Sequence, residues 1–144
     1  DARNNGHNTL LHLAASNGHV ELLKFLVTNT RCDLEALNFP GFTPLLVASY
    51  SGHLQMVRYL LLEARANINA SDALKRTSLH HAASEGHLAV VQCLCREAAA
   101  DPSAADRRGR TPFVCASLSH RQAFNAMELG EEKSSEQAVQ VNNL

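Results

Sequence analysis

The chain has 144 residues, the size of a single domain, and with 45% apolar and 19% charged residues it is too apolar for a disordered chain. Thirteen bases against fourteen acids leave a net charge of −1, which excludes a uniformly basic nucleic-acid binder. No apolar run approaches the ~18 residues of a membrane span, no basic-then-apolar leader marks secretion, and Cys32, Cys93, Cys95 and Cys115 form no C-x-x-C pair or disulfide framework, so an intracellular location, cytoplasmic or nuclear, is expected.

Five Phe, two Tyr and no Trp leave little to fill an aromatic core. Alanine and leucine dominate instead, which suits closely packed helices and points to an all-α body. Internal repetition then organises the chain. Thr9-Leu10-Leu11-His12, Thr43-Pro44-Leu45-Leu46, Thr77-Ser78-Leu79-His80 and Thr111-Pro112-Phe113-Val114 follow one another every 34 residues without a gap. Nine residues after each threonine stand Gly18-His19, Gly52-His53 and Gly86-His87, with His120-Arg121 in the fourth copy.

In chain order, each copy predicts two helices and an extended turn. Threonine suits the N-cap, and proline the first helical position, where a missing N–H costs nothing. Leu11, Ala14 and Ala15 form the buried face of the first helix, repeated by Leu45, Ala48 and Ser49. Gly18, Gly52 and Gly86 stand where that helix stops and the chain reverses, a place that favours left-handed backbone. The second helix carries Val20, Leu23 and Val27 on one stripe, widened by Leu22, Phe25 and Leu26. A unit of this kind buries its apolar face only by stacking on its neighbours.

These motifs resemble ankyrin repeats: a T-x-L-H opening, a G-H turn, an L-x-x-V-x-x-L-L second helix and an A-D-h-N-A ending. The resemblance covers residues 1–129, with repeats at about 4–37, 38–71, 72–105 and 106–129, and leaves 130–144 as a polar linker or disordered tail. It implies antiparallel helix pairs, eight helices in all, joined by β-hairpin-like fingers near residues 36–42, 70–76 and 104–110. It also implies that His12, His80, His19, His53 and His87 are structural, bonding the threonines and adjoining turns. The period exceeds the family's ~33 by one residue, and Arg31, Arg65 and Ala99 stand near the end of the second helix where the family places glycine.

The two ends of the array read differently. Gln122, Asn125 and Glu128 give the last repeat the polar face of a terminal cap. Leu22, Phe25 and Leu26 leave the first repeat without one, which predicts either a longer array or self-association through this uncapped face.

No phosphate loop, nucleophile elbow or paired carboxylates appear, and His81 has no metal-ligand partner at a recognisable spacing. No catalytic residue, metal or cofactor is expected. By resemblance, a partner protein sits on the concave face made by finger tips and first helices. The candidate residues there are Phe39, Phe42 and Tyr50 as an aromatic anchor, followed by Leu74, Arg76, Glu85, Arg107, Arg108 and Arg110. Aromatics and arginines are the residue types enriched at interface hot spots, and the arginines predict acidic residues in the partner. Residues 106–127 alone hold four Arg against one Asp. Other readings stay open: a targeting region of a multidomain enzyme, a methyl-lysine cage of Phe39, Phe42, Tyr50 and Glu85, and a weak case for phosphate contacts with nucleic acid. Asn69 resembles the finger asparagine that asparaginyl hydroxylases modify.

Overall fold

Each opening threonine holds extended backbone, with φ between −78° and −86°, and the chain turns helical immediately after it. In this computed structural model, which describes residues 2–117 and 120–125, the first helices are α1 (Leu10–Asn17), α3 (Pro44–Ser51), α5 (Ser78–Glu85) and the short α7 (Pro112–Cys115). The second helices are α2 (Val20–Asn29), α4 (Leu54–Arg58, continued by a π turn over Tyr59–Glu63), α6 (Leu88–Arg96) and α8 (residues 120–125). The polar tail expected at 130–144 and the cap residue Glu128 lie outside the described residues. First helices pack side by side, α1 on α3, α3 on α5 and α5 on α7; α2, α4 and α6 form a second layer behind them. This is an all-α solenoid of stacked helix pairs. Among the described residues the only strand-like pairing is a single antiparallel bridge between Ser71 and Thr77.

The core runs between the two layers. Leu11, Leu23, Leu45, Met56, Leu60, Leu79, Val90 and Leu94 are essentially inaccessible, and Ala14, Ala48 and Ala82 let first helices approach closely. One expectation fails here. Leu26, predicted to lie on the exposed N-terminal face, is buried, because it takes the interior place of Leu60 and Leu94 in its own repeat. Leu10 and Leu13 are exposed with Leu22 and Phe25 instead.

The turn glycines are required twice over. Gly18 and Gly52 sit at φ 71° and 78°, and a Cβ on either would lie 2.8 Å or less from the ring of the next copy's histidine, His53 or His87. In the fourth copy α7 stops after one turn, and the His120 ring packs on Gly86 in the place where the other copies use the residue after the glycine.

The residue that lengthens each repeat to 34 is absorbed where the second helix ends. In copies two and three an N–H reaches back five residues, Ala64 to Tyr59 O at 2.9 Å and Ala98 to Cys93 O at 3.3 Å. Arg65 and Ala99 then take left-handed backbone at φ 59° and 52°, standing in for the missing glycine. Copy one closes differently. Thr30 is extended, and its hydroxyl donates to Leu26 O at 2.6 Å, so Arg31 needs no such conformation.

Candidate functional site

The fingers, residues 3–8, 37–42, 71–76 and 105–110, are built on one side chain each. Asn4, Asn38, Asp72 and Asp106 occupy the same register, and their oxygens accept backbone N–H groups two or four residues on. The next finger position to matter is the tip, where His7, Gly41, Lys75 and Gly109 all have positive φ.

Copies three and four replace the neutral amide by a carboxylate and supply an arginine to match. Arg76 Nε donates to Asp72 Oδ2 at 2.8 Å, and Arg110 Nε to Asp106 Oδ2 at 3.0 Å. Burial works to raise the Asp72 carboxyl, but the Arg76 N–H, the Arg76 guanidinium and the Leu74 N–H outweigh it and hold it below the usual carboxylate range. Asp106 is held down to about 2, chiefly by the Arg110 N–H. Two of the predicted partner-facing arginines, Arg76 and Arg110, are therefore neutralised within their own fingers.

Arg107 is also engaged, its backbone N–H with Leu74 O at 2.9 Å and its Nε with Ala73 O at 2.6 Å, which ties finger four to finger three. Lys75 and Arg108 are exposed at the tips, as are Leu74 beside them and Glu85 at the end of α5. Charge is distributed unevenly as a result. The four fingers carry six basic and two acidic side chains, a net +4 on a chain whose total is −1.

The expected aromatic patch separates into two parts. Phe39, 75% exposed, stacks on His7 of the neighbouring finger at 5.4 Å. Phe42 and Tyr50 instead gather around His81, with ring centroids 4.8 and 6.0 Å from it and 6.5 Å from each other. Rings in mutual contact with Phe39 elsewhere do not form the cage required for a methylated ammonium. Tyr50 remains 47% exposed and Phe42 half-buried, so the concave face at copy two presents an aromatic surface rather than a cavity.

His81 is the central residue that the sequence reading did not place at the site. Its counterparts are Leu13, Val47 and Cys115, and the signal that could have found it is a lone polar residue in an otherwise apolar register. It is buried, and its Nε2 lies 3.1 Å from Asp72 Oδ2, so the finger carboxylate, α5 and the aromatic surface meet at one imidazole. Burial, assisted by the Arg76 charge, lowers its pKa to about 4 despite the Asp72 carboxylate, so the ring is neutral near pH 7.

His12, His80, His53 and His87 are structural, as the resemblance implied, whereas among the described residues the His19 ring makes no such bond. His12 Nδ1 accepts the Thr9 N–H at 3.1 Å, which leaves Nε2–H to donate to Phe42 O at 2.8 Å; His80 does the same between Thr77 and Arg110 O. His53 and His87 reach Ser16 O and Tyr50 O at 2.9 Å.

Burial pushes the Cys93 and Cys115 thiols up, away from the reactive thiolate. Among the described residues no three His, Cys, Asp or Glu side chains converge as metal ligands, and no helix is long and apolar enough to cross a membrane. Asn69 is exposed in a turn, its N–H bonded to Asn67 Oδ1 at 2.9 Å.

The family model described as ankyrin repeats (3 copies) matches residues 1–72 and 64–134. No curated protein matches the chain.

Proposed function

The chain belongs to the ankyrin-repeat family, and from that premise we propose that it is a non-catalytic module holding a segment of another protein across its fingers and first helices. The observation that carries this reading is the concentration of positive charge on the fingers, net +4, next to the exposed face of Tyr50 and Phe42. A segment with one apolar anchor and a following run of carboxylates matches that surface. The anchor rests on Tyr50 and the flank of Phe42; the carboxylates meet Lys75, Arg107 and Arg108. Electrostatic complementarity of this kind directs encounter and register, while the buried anchor sets residence time.

The test is a panel of peptides, each with one Leu or Phe anchor followed by Glu or by Lys residues, titrated against the whole chain. The acidic peptides should bind, more weakly as salt rises, and Tyr50→Ala should weaken the binding about thirty-fold. Equal binding of the lysine series, or no loss with Tyr50→Ala, rejects the reading. On the outer edge, the exposed turn at Asn69 is proposed as a site of asparagine hydroxylation; absence of a mass increase of about 16 Da (one oxygen) on that peptide from native cells removes the idea, since asparagine suits such turns anyway.

A further inference from the structure

Among the described residues, ion pairs with carboxylates take up Lys24, Arg58, Arg76 and Arg110 and leave Lys75, Arg107 and Arg108 of fingers three and four without one. Lys75 and Arg108 are exposed at the tips of the two fingers. Arg107 reaches from finger four to Ala73 O of finger three through its Nε, so the three cations flank one border between neighbouring fingers.

The sequence past α8 has the opposite charge. Residues 128–136 hold Glu128, Glu131, Glu132 and Glu136 against Lys133, a net −3 to set beside the +4 of the fingers. Residues 137–144 carry no charged side chain, so the acidic charge of the C-terminal stretch sits in this one block. The block is also within reach. α8 belongs to the repeat that finger four opens, and the first helices of eight residues are only about 12 Å long. From Asn125, six residues to Glu131 extend up to ~20 Å and eleven to Glu136 up to ~35 Å, which covers finger four and its neighbour, since packed helices lie about 8–10 Å apart.

We propose that the carboxylates of Glu131, Glu132 and Glu136 lie against Lys75, Arg107 and Arg108 of the same molecule, so that the chain's own acidic segment screens the finger cations and an outside segment has to displace it. The contact rests on charge and reach; the competition rests on the reading of the fingers as the partner site. Exposed pairs are individually weak and sensitive to salt, which suits a cover that a segment with an apolar anchor replaces.

The test uses the full chain with Glu131, Glu132 and Glu136 changed to Gln. In amide NMR spectra without any peptide, the substitutions should move signals of fingers three and four, and salt raised to about 0.5 M should move the same signals of the unaltered chain towards the variant's positions. The shifts should persist when the protein is diluted about tenfold, as a contact within one molecule does. Unmoved finger signals overturn the proposal, and so do shifts that fade on dilution, since the acidic block would then come from a second copy. The Gln variant should also bind the acidic peptides about fivefold more tightly, mainly through faster association. In a Lys75→Glu, Arg108→Glu background the same Gln substitutions should bring no gain. Equal affinities of the Gln variant and the unaltered chain overturn the screening. If neither protein binds the peptides, the partner reading fails, while the amide shifts still decide the contact.

Discussion

His12 Nε2 donates to the carbonyl of Phe42 across 2.8 Å, so the first helix of one repeat holds the end of the next repeat's finger. His80 repeats the contact with Arg110 O at 2.9 Å. Between copies two and three the same position is Leu46, which has no donor. His12 also accepts the buried Thr9 N–H, so His12→Leu, the residue that copy two uses, leaves that N–H unpaired and takes one of two donors from Phe42 O, which keeps the Asn38 N–H at 3.0 Å. An unpaired buried group costs about 1–3 kcal/mol, and the urea midpoint should fall accordingly with the m-value unchanged.

The same alternation appears in the finger backbones. Phe39 N–H donates to Gly6 O at 2.9 Å and Arg107 N–H to Leu74 O at 2.9 Å, whereas the equivalent Ala73 N–H makes no bond to Pro40 O. Fingers one and two are thus joined, as are three and four, with a seam between them beside Phe42. Native-state amide exchange resolved by NMR should place Ala73 well ahead of Phe39 and Arg107. Equal protection at the three amides contradicts the seam.

The helices, their order and the core stripes were legible because a 34-residue repeat states each feature several times, and Thr, Gly and Ala act through local backbone rules. The site was legible only as a list of positions. That Arg76 and Arg110 are taken up by Asp72 and Asp106 follows from a spacing of four that occurs twice in the sequence, but the direction of a finger decides whether an arginine folds back or faces a partner. That Phe39 parts from Phe42 reflects a contact with His7, 32 residues earlier, which no local pattern encodes. His81 has no metal-ligand partner at a recognisable spacing, and the sequence does not show what it does have: a carboxylate nine residues back and two rings from the previous repeat.

Left-handed backbone at Arg65 and Ala99 gives a third expectation. A non-glycine residue there costs about 1 kcal/mol over glycine, against which glycine loses part of the gain to chain entropy. Arg65→Gly and Ala99→Gly should each stabilise the fold by roughly 0.5 kcal/mol in urea titration. Arg31→Gly, where the preceding Thr30 closes the helix in extended form, should not.

Acid should loosen the array through His81. Its folded pKa of about 4 lies below the 6.5 of an unperturbed imidazole, so the unfolded chain takes up a proton first as pH falls. Stability from this group is complete above about pH 6.5, declines down to about pH 4, and is then lost, a total of roughly 3 kcal/mol at about 1.4 kcal/mol per unit. The groups around the ring, Asp72, Arg76 and His80, enter the same balance. Urea midpoints measured from pH 7.5 to 4.5 should therefore slope downward, and His81→Leu, which restores the residue type of position 13, should flatten the slope. A parallel slope in the variant would assign the acid sensitivity to another group.

The binding surface gives the last expectation, and the geometry selects its variants. Phe42 packs on His81 and Arg110 is held by Asp106, so changing either confounds recognition with folding. Tyr50, Lys75 and Arg108 are exposed, and the Tyr50 ring borders Phe42 and His81 only at centroid distances of 6.5 and 6.0 Å. Against the acidic peptide that binds best, Tyr50→Ala should cost ~2 kcal/mol, about thirty-fold in Kd, at every salt concentration, because it removes an apolar anchor. Lys75→Glu with Arg108→Glu should mainly slow association, and the penalty should shrink as salt shortens the range of the charges to about a Debye length. Both proteins should keep the wild-type melting temperature, whereas Leu45→Ala, in the core, should lose ~2–5 kcal/mol of stability. If the two surface variants bind like the wild type, the recognition face lies on the second helices, where Lys24, Arg58 and Tyr59 line an open groove.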